Sequence, residues 1–283
     1  MKLPFKPDFN EKVVVVTGGA GVLCSEFCRA LAACGAKVAI LNRTLSKAET
    51  LAEEIRAAGG EAAAVQVDVT DEQSVQKAHE AVLHIYGKCD ILINGAGGND
   101  PAATADDETF SMETLLDQEK KSFFDLTTAS FSHVFNLNIL GTLLPTQAFA
   151  RDMVEAGHGC ILNVSSMNAY RPLTKIPAYS AAKAGISNFT QWLAVHFAKS
   201  GIRVNAIAPG FFSTAQNAKL LWNEDGTPTA RTGKILAATP MERFGEPEEL
   251  VGGLLYLLDD NCSAFVTGVV LPIDGGFNAY SGV

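Results

Sequence analysis

Lys12-Val13-Val14-Val15-Val16-Thr17-Gly18-Gly19-Ala20-Gly21 is the stretch that decides the fold. Four β-branched residues in a row mark a strand buried on both faces. The run stops in a turn that only small residues make. A helical pattern follows over 25–34, Gly35 closes it, and 37–41 reads as a second strand. In such a unit the glycine turn and the helix N-terminus can hold a pyrophosphate. Glycine also serves plain turns, so the setting between buried strand and helix is what gives this one weight.

The alternation continues outward. Helices are expected over 46–58, 71–86, 131–155, 177–199 and 247–258, with Asp71 near an N-cap. Strands are expected over 62–67, 90–93, 159–164, 203–207 and 268–271. Strands alternating with helices imply right-handed crossovers and a parallel sheet. The fold class is therefore α/β, a single-domain Rossmann-type doubly wound parallel sheet of about seven strands with helices on both faces. Ligands on such a sheet sit beyond the carboxyl ends of the strands. Two stretches break the rhythm. Residues 99–125 are polar, acidic and weakly periodic, and residues 211–243 suggest only short helices near 215–222 and 229–238. Long irregular connections in a compact domain are usually functional, so both are expected as substrate-side insertions or a lid. With no repeat or linker, 1–283 reads as one domain.

Composition narrows the function. The chain has 283 residues, 47% hydrophobic and 19% charged, with a net charge of −9. Such an acidic balance argues against nucleic acid or an anionic membrane as partner. No apolar run reaches the ~18 residues of a membrane span, and 1–12 lack the apolar region of a secretory signal. The cytoplasm is the expected compartment. The six cysteines show no CxxC and no Cys/His spacing for metal, so no metal site is expected and the thiols read as small buried hydrophobes.

Tyr179 and Lys183 stand four apart at the start of a helical pattern, so they share one face. A free tyrosine has a pKa of about 10 and is a poor acid or base at neutral pH. A cationic ammonium one turn away is expected to lower it and ready the pair for proton transfer to an oxygen.

These residues, taken in order with the Thr17-Gly18 turn, Asp68-Val69, Asn94-Gly95-Ala96-Gly97, Asn138, Ser166, Pro209-Gly210 and Thr214, resemble the classical short-chain dehydrogenase/reductase family. The resemblance runs over 12–277. It implies that Tyr179 is the general acid in reduction and the base in oxidation. It implies further that Lys183 lowers the Tyr179 pKa and holds the nicotinamide ribose, that Ser166 bonds the substrate oxygen, and that Asn138 helps hold a water near Lys183. Of the two adjacent serines, the thirteen-residue spacing to Tyr179 favours Ser166 over Ser165. The physics agrees: hydride transfer to a carbonyl builds charge on oxygen, and two placed hydroxyls stabilise it. The implied cofactor is NAD or NADP. Its cradle would comprise Gly18, Gly21, Val22, Leu23, Asn42, Arg43, Asp68, Val69, Asn94, Ala96, Gly97, Pro209, Gly210 and Thr214, besides Tyr179 and Lys183.

Two positions depart from the family pattern. Val22 and Cys24 stand where the turn usually has glycine, which suggests a differently shaped turn. At the end of the second strand Asn42 replaces the acid that favours NAD, and Arg43 could pair with a 2′-phosphate or be a solvated charge. The choice between NAD and NADP stays open.

A finer likeness, carried by 93–99, 135–147, 165–170, 173–179 and 274–283, is to the D-mannonate oxidoreductase (D-fructuronate reductase) branch of that family. It implies a sugar-acid substrate. Lys175 with Arg171 is expected to pair with its carboxylate, and Asn168, Gln216 and Asn217 with its hydroxyls. Another aldonate or polyol dehydrogenase, such as a gluconate 5-dehydrogenase, is the alternative enzyme reading. A non-catalytic dinucleotide-binding regulator is the alternative of another class. Family likeness also implies a homotetramer packed through the helices at 131–155 and 178–199 and through the last helix and strand.

Overall fold

The computed structural model describes residues 7–213 and 221–282. Its centre is the strand β1, Val13–Thr17, buried along its whole length. Alternate side chains leave it on opposite faces. Val14 and Val16 join the core under α1 (Val22–Ala33) and α2 (Leu45–Ala57), while Val13 and Val15 join the core under α3 (Glu72–Ile85). That two-sided burial is why the run carries no polar residue.

Strands β2 (Lys37–Asn42), β3 (Glu61–Gln66), β4 (Ile91–Asn94), β5 (Gly159–Val164), β6 (Ile202–Pro209) and β7 (Val270–Ile273) complete the sheet. Its order is β3-β2-β1-β4-β5-β6-β7, and every pairing is parallel. The order reverses between β1 and β4, so a crevice opens at their carboxyl ends, where doubly wound folds bind ligands. The expected α/β architecture holds.

Local chemistry sets the helix ends. Asp71 accepts from the backbone of Gln73 and Ser74 and caps α3. Between β4 and β5 lie α4 (Met112–Leu116) and the long α5, Thr128–Ala156. Helix α6, Pro177–Phe197, starts with proline in its first turn, where a missing N–H costs nothing.

Several boundaries differ from the expectation. Helix α1 starts at Val22, not 25, because Gly21 serves as N-cap. Strand β6 runs on to Pro209, and β7 begins at Val270 rather than 268. The 247–258 segment divides into a tight turn, Pro247–Leu250, and helix α8, Val251–Leu258, which follows α7, Ala230–Ala237. Residues 99–125 hold more structure than their weak periodicity suggests: two 3₁₀ turns, Pro101–Ala103 and Phe123–Asp125, flank α4. The short helix expected near 215–222 lies largely outside the described residues. Among the described residues no helix is long and apolar enough to cross a membrane.

Candidate active site

The carboxyl ends of β1, β4 and β5 bring the expected residues together. Ser166 follows β5 and caps a 3₁₀ turn, Met167–Ala169. Its hydroxyl accepts from the Asn168 backbone at 3.2 Å and lies close enough to Tyr179 to oppose the rise in the phenol's pKa. Ser165 points elsewhere, donating to the Lys183 carbonyl and meeting the Ser187 hydroxyl at 2.7 Å. One turn beyond Tyr179, the buried Lys183 donates to the Val164 carbonyl at 2.8 Å, with Nζ 5.6 Å from the Tyr179 ring centre.

Asn138 sits mid-way along α5, fully buried. Its amide donates to the carbonyls of Gly98 and Val134, both at 2.8 Å, and its Oδ1 accepts from Gly98 N at 3.3 Å. A methyl on Gly97 would stand 2.6 Å from that oxygen and 3.2 Å from Lys183 Nζ. Asn138 thus pins the Gly97-Gly98 backbone beside the lysine.

One expectation about charge is corrected. Lys183 was expected to lower the Tyr179 pKa, yet burial raises it, and the opposing pull comes from the Ser166 hydroxyl. Burial likewise pushes Lys183 down to about 8. Spacing along a helix shows that two groups share a face, but not how much water each has lost, and desolvation disfavours both charged forms.

The glycine turn makes a cradle. Gly18 has φ +62°, and a methyl there would come within 2.9 Å of Ala96 backbone atoms. Thr17 Oγ1 accepts from Gly95 N and Ala96 N at 3.1 and 3.2 Å, clamping the ends of β1 and β4 together. Thr17 was missing from the expected cradle. The signal was there, a hydroxyl ending a buried apolar run. Gly21 offers α1 no side-chain cap, and its first turn carries no acid. The first-turn amides of α1, those of Val22 and Leu23 among them, therefore lack a side-chain cap, which fits a pyrophosphate. Cys24 does not loosen this turn. Its sulfur lies where a methyl on Gly95 would go, 2.3 Å from that position, and burial pushes the thiol up to about 12.

The profile of the short chain dehydrogenase family matches residues 12–225. The chain belongs to that family. It is similar to an uncharacterised oxidoreductase, UxuB, of Bacillus subtilis, 54% identical over 99% of this chain and 100% of the relative. A crystal structure from Haemophilus influenzae, provisionally assigned as a D-mannonate oxidoreductase and holding NAD, superposes with a TM-score of 0.94. It is 53% identical, with 98% of each chain covered. A gluconate 5-dehydrogenase of Burkholderia cenocepacia, in complex with NADP and tartrate, gives a TM-score of 0.80 at 28% identity, over 96% of this chain and 97% of that one. This dehydrogenase is an oxidoreductase that uses NAD or NADP.

The remaining expected residues take varied places in the dehydrogenase. Asn42 ends β2 and donates to the Thr44 carbonyl at 2.9 Å, while Arg43 is exposed. The Asp68 carboxylate accepts from Thr70 N and Oγ1, whose bonds hold its pKa low. Val69 is buried against Gly141. Asn94 turns its side chain inward, donating to Thr146 Oγ1 at 3.0 Å and Asn163 Oδ1 at 2.9 Å, so that side chain braces the sheet. Pro209 ends β6, and Gly210 N donates to Ile273 O at 2.9 Å. Asn168 is buried with its Oδ1 unpartnered. Arg171 donates to the Asn278 carbonyl at 2.8 Å, and Lys175 to that of Asp106. Thr214, Gln216 and Asn217 lie outside the described residues.

Proposed function

We propose that this dehydrogenase interconverts D-mannonate and D-fructuronate, using NAD or NADP. The likeness to the NAD-bound Haemophilus influenzae protein carries the substrate, because it extends over 98% of the chain and so takes in the irregular stretches beside the site. Asn168 supports a hydroxylated substrate: a buried acceptor without a donor, two residues beyond Ser166, suits a sugar hydroxyl.

In this reading the Ser166 and Tyr179 hydroxyls hold the substrate oxygen. Tyr179 gives it a proton in reduction and takes one in oxidation. The bound nicotinamide supplies or accepts the hydride. Burial keeps the Tyr179 proton in place at neutral pH, the form that reduction needs. Lys183 lies beside the phenol and holds the ribose, and Asn138 keeps the Gly97-Gly98 backbone open for the dinucleotide. Lys175 attracts the substrate carboxylate, while Arg171 steadies the tail. Asn42 cannot repel a 2′-phosphate, so both cofactors are accepted. The exposed face of α5 and α6, with Val154, Trp192 and Val195, packs against a second copy within a homotetramer.

The test is reduced-nicotinamide absorbance with D-mannonate, D-fructuronate and D-gluconate against both cofactors. Turnover of the first two above D-gluconate is expected. Binding of NAD with no turnover of any sugar acid would overturn the reading.

A further inference from the structure

Between the two irregular stretches lies a cavity of about 440 Å³. Its apolar wall includes Ile176, Phe211 and Phe277, and its charged lining is Glu108, Lys175, Arg231 and Lys234. Three cations against one acid make a locally positive pocket in a chain of net charge −9. Such a reversal of sign attracts an anion.

The four charges are not equivalent. Lys234 on α7 pairs with Glu108 at 2.7 Å, tying α7 to the 99–125 excursion. Glu108 is held low first by that bond and charge, and more weakly by Lys175. Lys175 itself donates to the Asp106 carbonyl. The side chain of Arg231, on the same helix as Lys234, makes no hydrogen bond or ion pair among the described residues. It is the lining cation with a whole guanidinium to offer, and guanidinium matches a carboxylate with two parallel donors.

Position relates this pocket to the chemistry. Ile176 is the N-cap of α6, and Tyr179 lies one turn further on. The pocket therefore opens at the start of the helix that carries the phenol, not at the phenol itself.

We propose that Arg231 is the specificity-determining residue for an acid substrate, binding with Lys175 a carboxylate that lies several carbons from the reacting carbon. The proposal rests on the sugar-acid reading and deepens it. The Glu108–Lys234 pair is a positioning contact that sets α7 over the pocket. Acids whose carboxylate adjoins the reacting carbon do not reach Arg231.

The experiment is isothermal titration calorimetry of the NADH-loaded protein, which cannot oxidise the ligand, with D-mannonate and with neutral D-mannitol, run beside the turnover assay. Wild type, Arg231→Gln and Arg231→Lys are compared. Arg231 is exposed, so neither variant disturbs the core. Arg231→Gln is expected to weaken D-mannonate binding about tenfold or more, the scale of a charge-assisted bond. D-mannitol binding should move by less than about twofold, and Arg231→Lys should recover part of the loss. Unchanged D-mannonate affinity in Arg231→Gln, or an equal loss for both ligands, overturns the proposal while leaving the sugar-acid reading standing. D-mannonate binding that depends on Arg231 without turnover does the reverse. No binding of D-mannonate by wild type overturns both.

Discussion

The carboxyl rim of the sheet and the two irregular excursions are built by different rules. On the rim, Asn138 and Lys183 are fully or nearly buried and polar at once. Strand ends, helix α6 with Lys183 one turn beyond Tyr179, and backbone carbonyls fix them. The excursion at 99–125 instead exposes Phe110, Leu116 and Phe124. It is held by local caps, such as the reciprocal Ser122–Asp125 pair, and by few ties outward. Two of those ties are Ala105 N to Lys175 O at 2.9 Å and the Glu108–Lys234 ion pair. In the proposed reaction, chemistry and selectivity therefore sit on separate supports. Rim changes should act on rate or folding, and excursion changes on substrate choice.

The largest effect should come from the rim. Tyr179→Phe is expected to lower kcat by about 10²–10⁴, the range of one general acid–base group. Dinucleotide binding and melting temperature should stay near wild type. Steady-state kinetics with calorimetry and thermal melts checks both. A variant that kept its kcat, or that shifted substrate choice at an unchanged rate, would erase the contrast between rim and excursion.

Lys183→Met should lose turnover yet gain stability. A lysine held near 8 instead of 10.5 carries a desolvation cost on the order of 3 kcal/mol. Losing the bond to the Val164 carbonyl removes about 1 kcal/mol of that gain. Below pH 8 both folded and unfolded lysines are charged, and the cost is complete. Between about 8 and 10.5 the unfolded chain binds the extra proton, so wild-type stability rises with pH. Urea melts of both proteins across pH 7 to 10 should therefore show the advantage of the variant shrinking.

Gly95→Ala should cost about 1–3 kcal/mol, since its methyl meets the Cys24 sulfur and the Thr17 carbonyl. Adding Cys24→Ala removes one of the two obstacles and should recover part of the loss in denaturant melts. Full independence of the two substitutions would break the packing account of the turn.

Smallest is Glu108→Gln. Its ion pair is exposed, so stability should change by less than about 1 kcal/mol. The same melts check it. A large loss would mean the excursion is part of the rim's framework after all.

Most of the rim was legible in the sequence because strand ends and glycine turns are local signals. The run 13–16 announced a strand buried twice, spacing put Tyr179 and Lys183 on one helix face, and Ser166 and Asn138 came only from the family resemblance. What was not legible depends on burial and on contacts far apart in the chain. The inward turn of Asn94 needs Thr146 and Asn163 beside it. The direction of the Tyr179 shift needs the amount of water excluded around it. Arg231 gave no signal at all, since a lone arginine on a short helix reads as a solvated charge. Only the approach of 99–125 to α7 makes it part of a pocket wall.

The most direct measurement is a crystal structure of Tyr179→Phe with NAD and D-mannonate, a complex that turnover depletes only slowly. The account predicts the pyrophosphate at the crevice between β1 and β4, the nicotinamide beside Tyr179 and Lys183, the reacting hydroxyl against Ser166 and the ring at 179, and the carboxylate at Arg231. A dinucleotide bound elsewhere, or a reacting hydroxyl remote from Ser166, would contradict it.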